Sequence, residues 1–211
     1  VRARPWAASP NGSGKSSSPT SEADAIPSVF VISGPSGAGK GTVIGLVRQR
    51  LPHLVTAVSA TTRTPRPGEA DGREYHFMDE ARFRAAVAAG DFLEWAEYSG
   101  HLYGTLRSEV EAGLAGGDDV ILEIELQGAR SVRRSMPEAV SVFIVPPSTS
   151  ELEQRLRGRG TETGAAIARR LGRAETEMAA AHEFRHVVIN DDAERAADEV
   201  VAIIEAQRKD A

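Results

Sequence analysis

The feature that most constrains this chain is the stretch Gly34-Pro35-Ser36-Gly37-Ala38-Gly39-Lys40-Gly41-Thr42. It follows the apolar run Val29-Phe30-Val31-Ile32 and leads into Thr42 to Leu51, which carries apolar residues at Val43, Leu46 and Val47 before Pro52. A short continuous apolar run reads as a strand buried on both faces, and the spacing after it reads as a helix. Glycines in the turn between the two let backbone N–H groups converge on an anion, and the helix N-terminus adds partial positive charge. Lys40 stands where it reaches the outer phosphates of a bound nucleotide. Such loops usually place Ser or Thr directly after the lysine to contact Mg2+, but here that position is Gly41 and Thr42 lies one residue on. The sequence leaves open whether Thr42 helps indirectly or water fills the gap.

Further apolar runs follow at 120–122, 140–145 and 187–189, with helical patterns at about 128–135, 148–157, 165–183 and 192–208. Strands alternating with helices imply an α/β fold with a mainly parallel sheet. Residues 61–106 break that rhythm with Thr64-Pro65-Arg66-Pro67-Gly68, Tyr75-His76-Phe77, a helix near 79–89 and Phe92-Leu93-Glu94-Trp95. We read this segment as an inserted substrate-binding subdomain. Residues 1–27 are rich in Ser, Pro, Ala and Gly without an apolar period and read as a disordered tail. Within it, Gly12-Ser13-Gly14-Lys15-Ser16 imitates half a phosphate loop, but no strand precedes it.

Composition narrows the function classes. A net charge of −5 argues against nucleic acid as the main partner, while leaving room for a small anion held by local Arg and Lys. The absence of cysteine removes disulfides, thiolate metal sites and cysteine nucleophiles. It is compatible with a cytoplasmic location, which we take as the expectation. No apolar run approaches the roughly 20 residues needed to span a bilayer, so no membrane contact is expected. Oligomeric state is not legible.

Seven separated blocks carry a family resemblance: GPSGAGKGT, VSATTRTPRPGE, GREYHF, FLEWAEYSGHLYGT, LEIELQGA, RLRGRGTET and VVINDD. From Ser33 to about Asp192 the chain resembles guanylate kinase. The resemblance implies a P-loop three-layer core (28–60, 107–147 and 184–208) within a domain spanning 28–208. It also implies an inserted GMP-binding subdomain at 61–106 and a helical lid at 148–183.

The resemblance also implies roles for individual residues. Arg63 and Arg66 would grip the GMP phosphate; two guanidinium forks in a proline-broken loop suit that task, though alone they would read as solvated loop arginines. Tyr75 and Tyr103 match the family's phosphate-binding tyrosines, with half-buried packing as the bland alternative. Guanine presents N1–H and N2–H2 donors and an O6 acceptor, so its pocket wants a carboxylate and hydroxyls. Glu94 matches the carboxylate, its alternative being an outward strand position, and Ser59 and Thr105 match the hydroxyls. Glu125 stands where the family usually has Asp, and guanine, Mg2+-bound water or neither remain open as its partner. On the same resemblance Glu123 would be the member nearer the metal. Arg155, Arg159 and Arg170 match lid arginines, whereas Arg157 and Arg169 read as a solvated helix face. Asn190 matches the residue beside the adenine of ATP, or else acts as a turn or cap residue.

The expected reaction converts ATP and GMP (with dGMP as a second acceptor) to ADP and GDP, with Mg2+ as cofactor, in purine nucleotide metabolism. The acceptor phosphate is largely ionised at neutral pH, its second pKa lying near about 6, so no general base is required. Two rivals stand beside this reading: a non-catalytic scaffold domain of the same fold, and a kinase for another phosphorylated small molecule.

Overall fold

The computed structural model describes residues 26–158 and 164–210. Most of the tail, and residues 159–163 with Arg159 among them, lie outside the described residues.

Strand β1 (Val29–Ser33) is buried along its whole length because it is the middle strand of the first sheet. Its neighbours are β7 (Asp119–Glu123) and β8 (Val140–Val145), and β2 (Leu54–Thr56) and β9 (His186–Ile189) form the edges, giving the order β2-β7-β1-β8-β9. Every pairing in this sheet is parallel. Parallel strands covered on both faces read as unbroken apolar runs, which is why four of the five, all but β2, were legible from the runs at 29–32, 120–122, 140–145 and 187–189.

Two apolar layers cover the sheet. On one face Val43, Ile44 and Val47 of α1 (Lys40–Arg50) and Val200 and Ile204 of α7 (Ala193–Asp210) pack on Phe30, Ile32, Ile121 and Val142. On the other, Val110 of α3 (Arg107–Ala115) and Ala129 and Val132 of α4 (Leu126–Ser135) pack on Val29, Val31, Val120 and Leu122. Helix, sheet and helix make the three-layer core.

The second sheet has the order β4-β3-β6-β5, built from β3 (Ser59–Thr61), β4 (His76–Phe77), β5 (Phe92–Tyr98) and β6 (His101–Leu106). Phe83 of α2 (Glu80–Ala89) is fully buried beneath it and stacks on Phe92, with ring centroids 4.4 Å apart. Asp79 caps α2 by accepting the Arg82 N–H at 2.7 Å, and Gly90 ends it in the left-handed conformation. Strand β5 carries a bulge: Phe92 pairs with Leu106 and Glu94 with Thr105, so Leu93 is the extra residue. Phe92 joins the α2 cluster, Leu93 joins the α4 layer, and Glu94 faces the cleft.

Helices α5 (Thr149–Gly158) and α6 (Gly164–Ala179) pair through Leu152, Leu156, Ile167 and Ala174. The helix expected over 165–183 ends at Ala179, and a separate 3-10 turn follows at Ala181–Glu183. Among the described residues, no helix is long and apolar enough to cross a membrane.

Candidate functional site

The loop after β1 takes its shape from close approaches that only glycine permits. A Cβ on Gly34, whose φ is 144°, would stand 2.1 Å from the carbonyl oxygen of Ile144 on β8. A Cβ on Gly37, with φ of 96°, would meet Leu152 and Leu156 of α5 at 2.8 and 3.0 Å. The turn is closed by the Ala38 N–H donating to the Pro35 carbonyl at 3.1 Å, and α1 begins at Lys40. Lys40 Nζ folds back to donate to the carbonyls of Gly34 at 2.7 Å and Pro35 at 3.3 Å.

Three further residues brace the loop from outside. Asn190 is 4% exposed, and its Nδ2 donates to the Ala38 carbonyl at 2.7 Å. Arg155 donates from Nη2 to the Asn190 carbonyl at 2.9 Å, with Nε on Glu151 at 3.1 Å. Arg170 Nη2 meets Ser36 Oγ at 3.0 Å.

Between this loop and the second sheet lies a cleft of about 540 Å³. The structure brings Gly34, Ser36, Gly37, Gly39, Lys40, Gly41, Thr42 and Arg170 to its loop side and Ser59, Arg63, Arg66, Tyr75, Glu94 and Tyr103 to the opposite side, with Glu123 and Glu125 at the C-terminal end of β7. Ligands of open α/β sheets lie beyond the carboxyl ends of the strands, and this cleft occupies that place. Among the described residues, five anticipated ones do not line it. Pro35 and Ala38 belong to the loop's own scaffolding, Asn190 and Arg155 to its bracing. Thr105 is also withdrawn from the wall, at 1% exposure, and acts on Glu94.

Glu94 is an acid held in an apolar setting. It is 6% exposed, and its Oε1 accepts both the Thr105 N–H at 3.0 Å and the Thr105 hydroxyl at 2.8 Å. Burial pushes its carboxyl up to about 7 against the pull of those two bonds, and the charge of Glu125 adds to the rise. The outward strand alternative is therefore wrong for Glu94, because the bulge turns it inward. Oε2 lies over Gly128, where a Cβ would come within 2.5 Å. Glu125 is the N-cap of α4, accepting the Gly128 N–H at 3.0 Å, which commits one of its oxygens to the helix.

Across the cleft, Arg63 donates from Nη1 and Nη2 to the two oxygens of Glu69, each at 2.9 Å. The Glu69 hydrogen bonds hold the guanidinium well into its charged range, and Arg63 likewise lowers the Glu69 carboxyl. The Arg63 guanidinium lies 5.3 Å from the Tyr75 ring centroid. Burial raises the Tyr75 hydroxyl, keeping it a neutral donor. Arg157 is exposed and pairs with Glu153 one turn back, as a solvated helix face should.

Glu177 and Glu69 are among the cleft residues absent from the sequence reading. Glu177 of α6 faces the loop, accepting the Ser36 backbone N–H, and burial raises its carboxyl despite the nearby Lys40 charge. Its signal is helical phase, since a residue seven positions after Arg170 shares that arginine's face. Glu69 follows Arg66 by three residues across a proline-glycine turn, a spacing that suits a local ion pair. Among the described residues, no cluster of three or more His, Cys, Asp or Glu is arranged to hold a metal. Thr42 and Glu123 offer single oxygen donors, a set that suits an Mg2+ bringing phosphate and water ligands with it.

The guanylate kinase family model matches residues 27–207. A guanylate kinase of Thermosynechococcus vestitus is 56% identical over 167 residues, covering 79% of this chain and 87% of that relative. One of Mycolicibacterium paratuberculosis is 53% identical over 178 residues, covering 83% and 80%. The crystal structure of guanylate kinase from Anaplasma phagocytophilum superposes with a TM-score of 0.72 at 31% identity, covering 87% of both chains. With that family's signature spread across both sheets and the loop between them, the chain belongs to the guanylate kinase family.

Proposed function

We propose that this chain transfers the γ-phosphoryl group of ATP to GMP, and to dGMP, giving ADP and the nucleoside diphosphate. One observation carries the reading: a single cleft has a phosphate loop with Lys40 on one side and an arginine pair with a buried carboxylate on the other. Two anions can be seated there with their reacting groups facing each other.

On the donor side, the amides of residues 34–42 and Lys40 hold the triphosphate. Lys40 exchanges the Gly34 and Pro35 carbonyls for phosphate oxygens when ATP binds. Arg155 and Asn190 keep the loop in shape, and Arg170 reaches the transferring group; Arg159 is assigned to the same work on the resemblance alone. Residues 148–183 form the lid, and 61–106 the acceptor subdomain. On the acceptor side, Arg63, Arg66, Tyr75 and Tyr103 take the GMP phosphate. Ionised Glu94 accepts from the guanine N1–H and N2–H2, while Ser59 meets O6 and Thr105 fixes Glu94.

Mg2+ arriving with ATP would be held by phosphate oxygens, with Thr42 and Glu123 as the chain's contributions, and would supply charge neutralisation between the two anions. Because the acceptor oxygen is already ionised, the protein's work is positioning and charge stabilisation, not proton removal.

The test is ADP formation, by coupled assay, with GMP, dGMP, AMP, UMP and CMP. Turnover with the two guanine acceptors is expected. Turnover with none favours the scaffold reading, and turnover only with a non-guanine acceptor rejects the role of Glu94. Lys40→Ala should lose most activity, on the order of 100-fold or more if it supplies transition-state charge.

A further inference from the structure

We propose that Glu69 is the positioning residue for the acceptor phosphate: it grips Arg63 by one edge so that the opposite fork is presented to the cleft. The proposal rests on the GMP-kinase reading above.

An arginine has five N–H donors in a rigid plane. In Arg63, Nη1 donates to Glu69 Oε2 at 2.9 Å and to the Thr64 carbonyl at 2.7 Å, and Nη2 donates to Glu69 Oε1 at 2.9 Å. Those three bonds use the end of the guanidinium. They leave the Nε hydrogen and the second Nη2 hydrogen, which together form the side-on fork that matches two oxygens of a phosphate. Tyr103, which shares that task, also lies beside the Arg63 guanidinium and favours its charge. The guanidinium's flat face is fixed as well, lying over the Tyr75 ring at 5.3 Å and the Phe77 ring at 5.8 Å. Both partners are largely withdrawn from solvent, with side-chain exposures of 11% for Arg63 and 17% for Glu69. This sets the pair apart from the exposed ion pairs on α2 and α7, which contribute little.

Glu69 also reaches the second arginine. Its Oε2 accepts the Arg66 backbone N–H at 2.7 Å, and its own N–H donates to the Arg66 carbonyl at 3.0 Å. One carboxylate thus ties the fork of Arg63 to the backbone that carries Arg66. The flanking Pro65 and Pro67 stiffen the same turn. Preorganising a guanidinium removes the ordering cost that a flexible arginine would meet on binding.

The experiment compares full-length wild type with Glu69→Gln, which keeps the shape but replaces one acceptor oxygen by an NH2 group. The expected result is a KM for GMP raised roughly tenfold, the size expected for losing one charge-assisted hydrogen bond. The KM for ATP, the inhibition constant of guanosine (which lacks the phosphate) and Tm should stay near wild type. Adding Glu69→Gln to Arg63→Ala should cost little more than Arg63→Ala alone, since both act through one fork. A lowered KM for GMP would mean that Glu69 merely occupies the phosphate's seat, and would overturn the proposal. So would equal losses for ATP and guanosine, which mark a general structural role. Wild type without GMP turnover would instead sink the functional reading on which the proposal rests.

Discussion

Replacing Gly128 by Ala separates stability from acceptor recognition. Gly128 lies in the first turn of α4, beneath the Glu94 carboxylate. A Cβ there would stand 2.5 Å from Glu94 Oε2, 3.1 Å from its Cδ and 3.4 Å from the Cβ of Ile124. To reach ordinary van der Waals separation the carboxylate has to retreat by roughly 1 Å. It is not free to do so, because Thr105 holds Oε1 through two hydrogen bonds of 3.0 and 2.8 Å. Either those bonds stretch or the carboxylate turns from the position that meets guanine. Hydrogen bonds to a charged group contribute about 1.5–3 kcal/mol, so GMP binding should weaken roughly 10- to 150-fold. The helix itself gains, since Ala is favoured over Gly in a helix by up to about 1 kcal/mol. The expected variant is therefore as stable as wild type in thermal melts or more so, with ATP affinity unchanged and GMP affinity severely reduced in titration calorimetry. A Gly128→Ala protein that binds GMP as wild type does would refute the assignment of Glu94 as the guanine reader.

Two other tests bear on the same site. For Glu94→Gln, the sign follows from a folded pKa raised to about 7 from 4.5: the fold disfavours the ionised acid, so wild type loses stability as pH rises through that interval. The Tm of Glu94→Gln minus that of wild type should grow from pH 4.5 to 7 and flatten above; a difference that does not change with pH would remove the buried-acid account. Asn190→Ala deletes the amide that holds the Ala38 carbonyl, a bond of about 1 kcal/mol, so the KM for ATP should rise roughly fivefold while that for GMP holds steady. An equal rise for both substrates would place Asn190 outside the loop's support.

The core was legible because its strands are solidly apolar and its phosphate loop is local. Val29 to Ile32, 140–145 and 187–189 announce themselves without knowledge of their neighbours. The second sheet did not. Its strand β5 is written FLEWAEY, and the extra residue at Leu93 destroys the two-residue alternation that marks a half-buried strand. Helix α3 is equally quiet: its cap position is Leu106, without a side-chain bond, and Val110 is its one buried residue. At the site, Lys40, Arg63 and Glu94 could be found from motifs, whereas Glu177 and Gly128 matter only because folding brings them against Ser36 and Glu94. The Asn190 side chain illustrates the limit from the other direction. Its motif is plain, yet only the structure reveals that its amide faces the loop backbone and not the cleft.

The bulge in β5 lets three consecutive residues serve three surroundings, Phe92 the α2 cluster, Leu93 the α4 layer and Glu94 the cleft. Deleting Leu93 would give a more regular ladder, an improvement by every general rule for sheets. It would leave Glu94 opposite Thr105 and in the cleft, since the pairs on either side of the bulge are unchanged, but it would strip the α4 layer of a buried side chain. A protein engineer idealising this sheet, or a lineage that lost one codon here, would keep the acid in place and lose the apolar tie between β5 and α4.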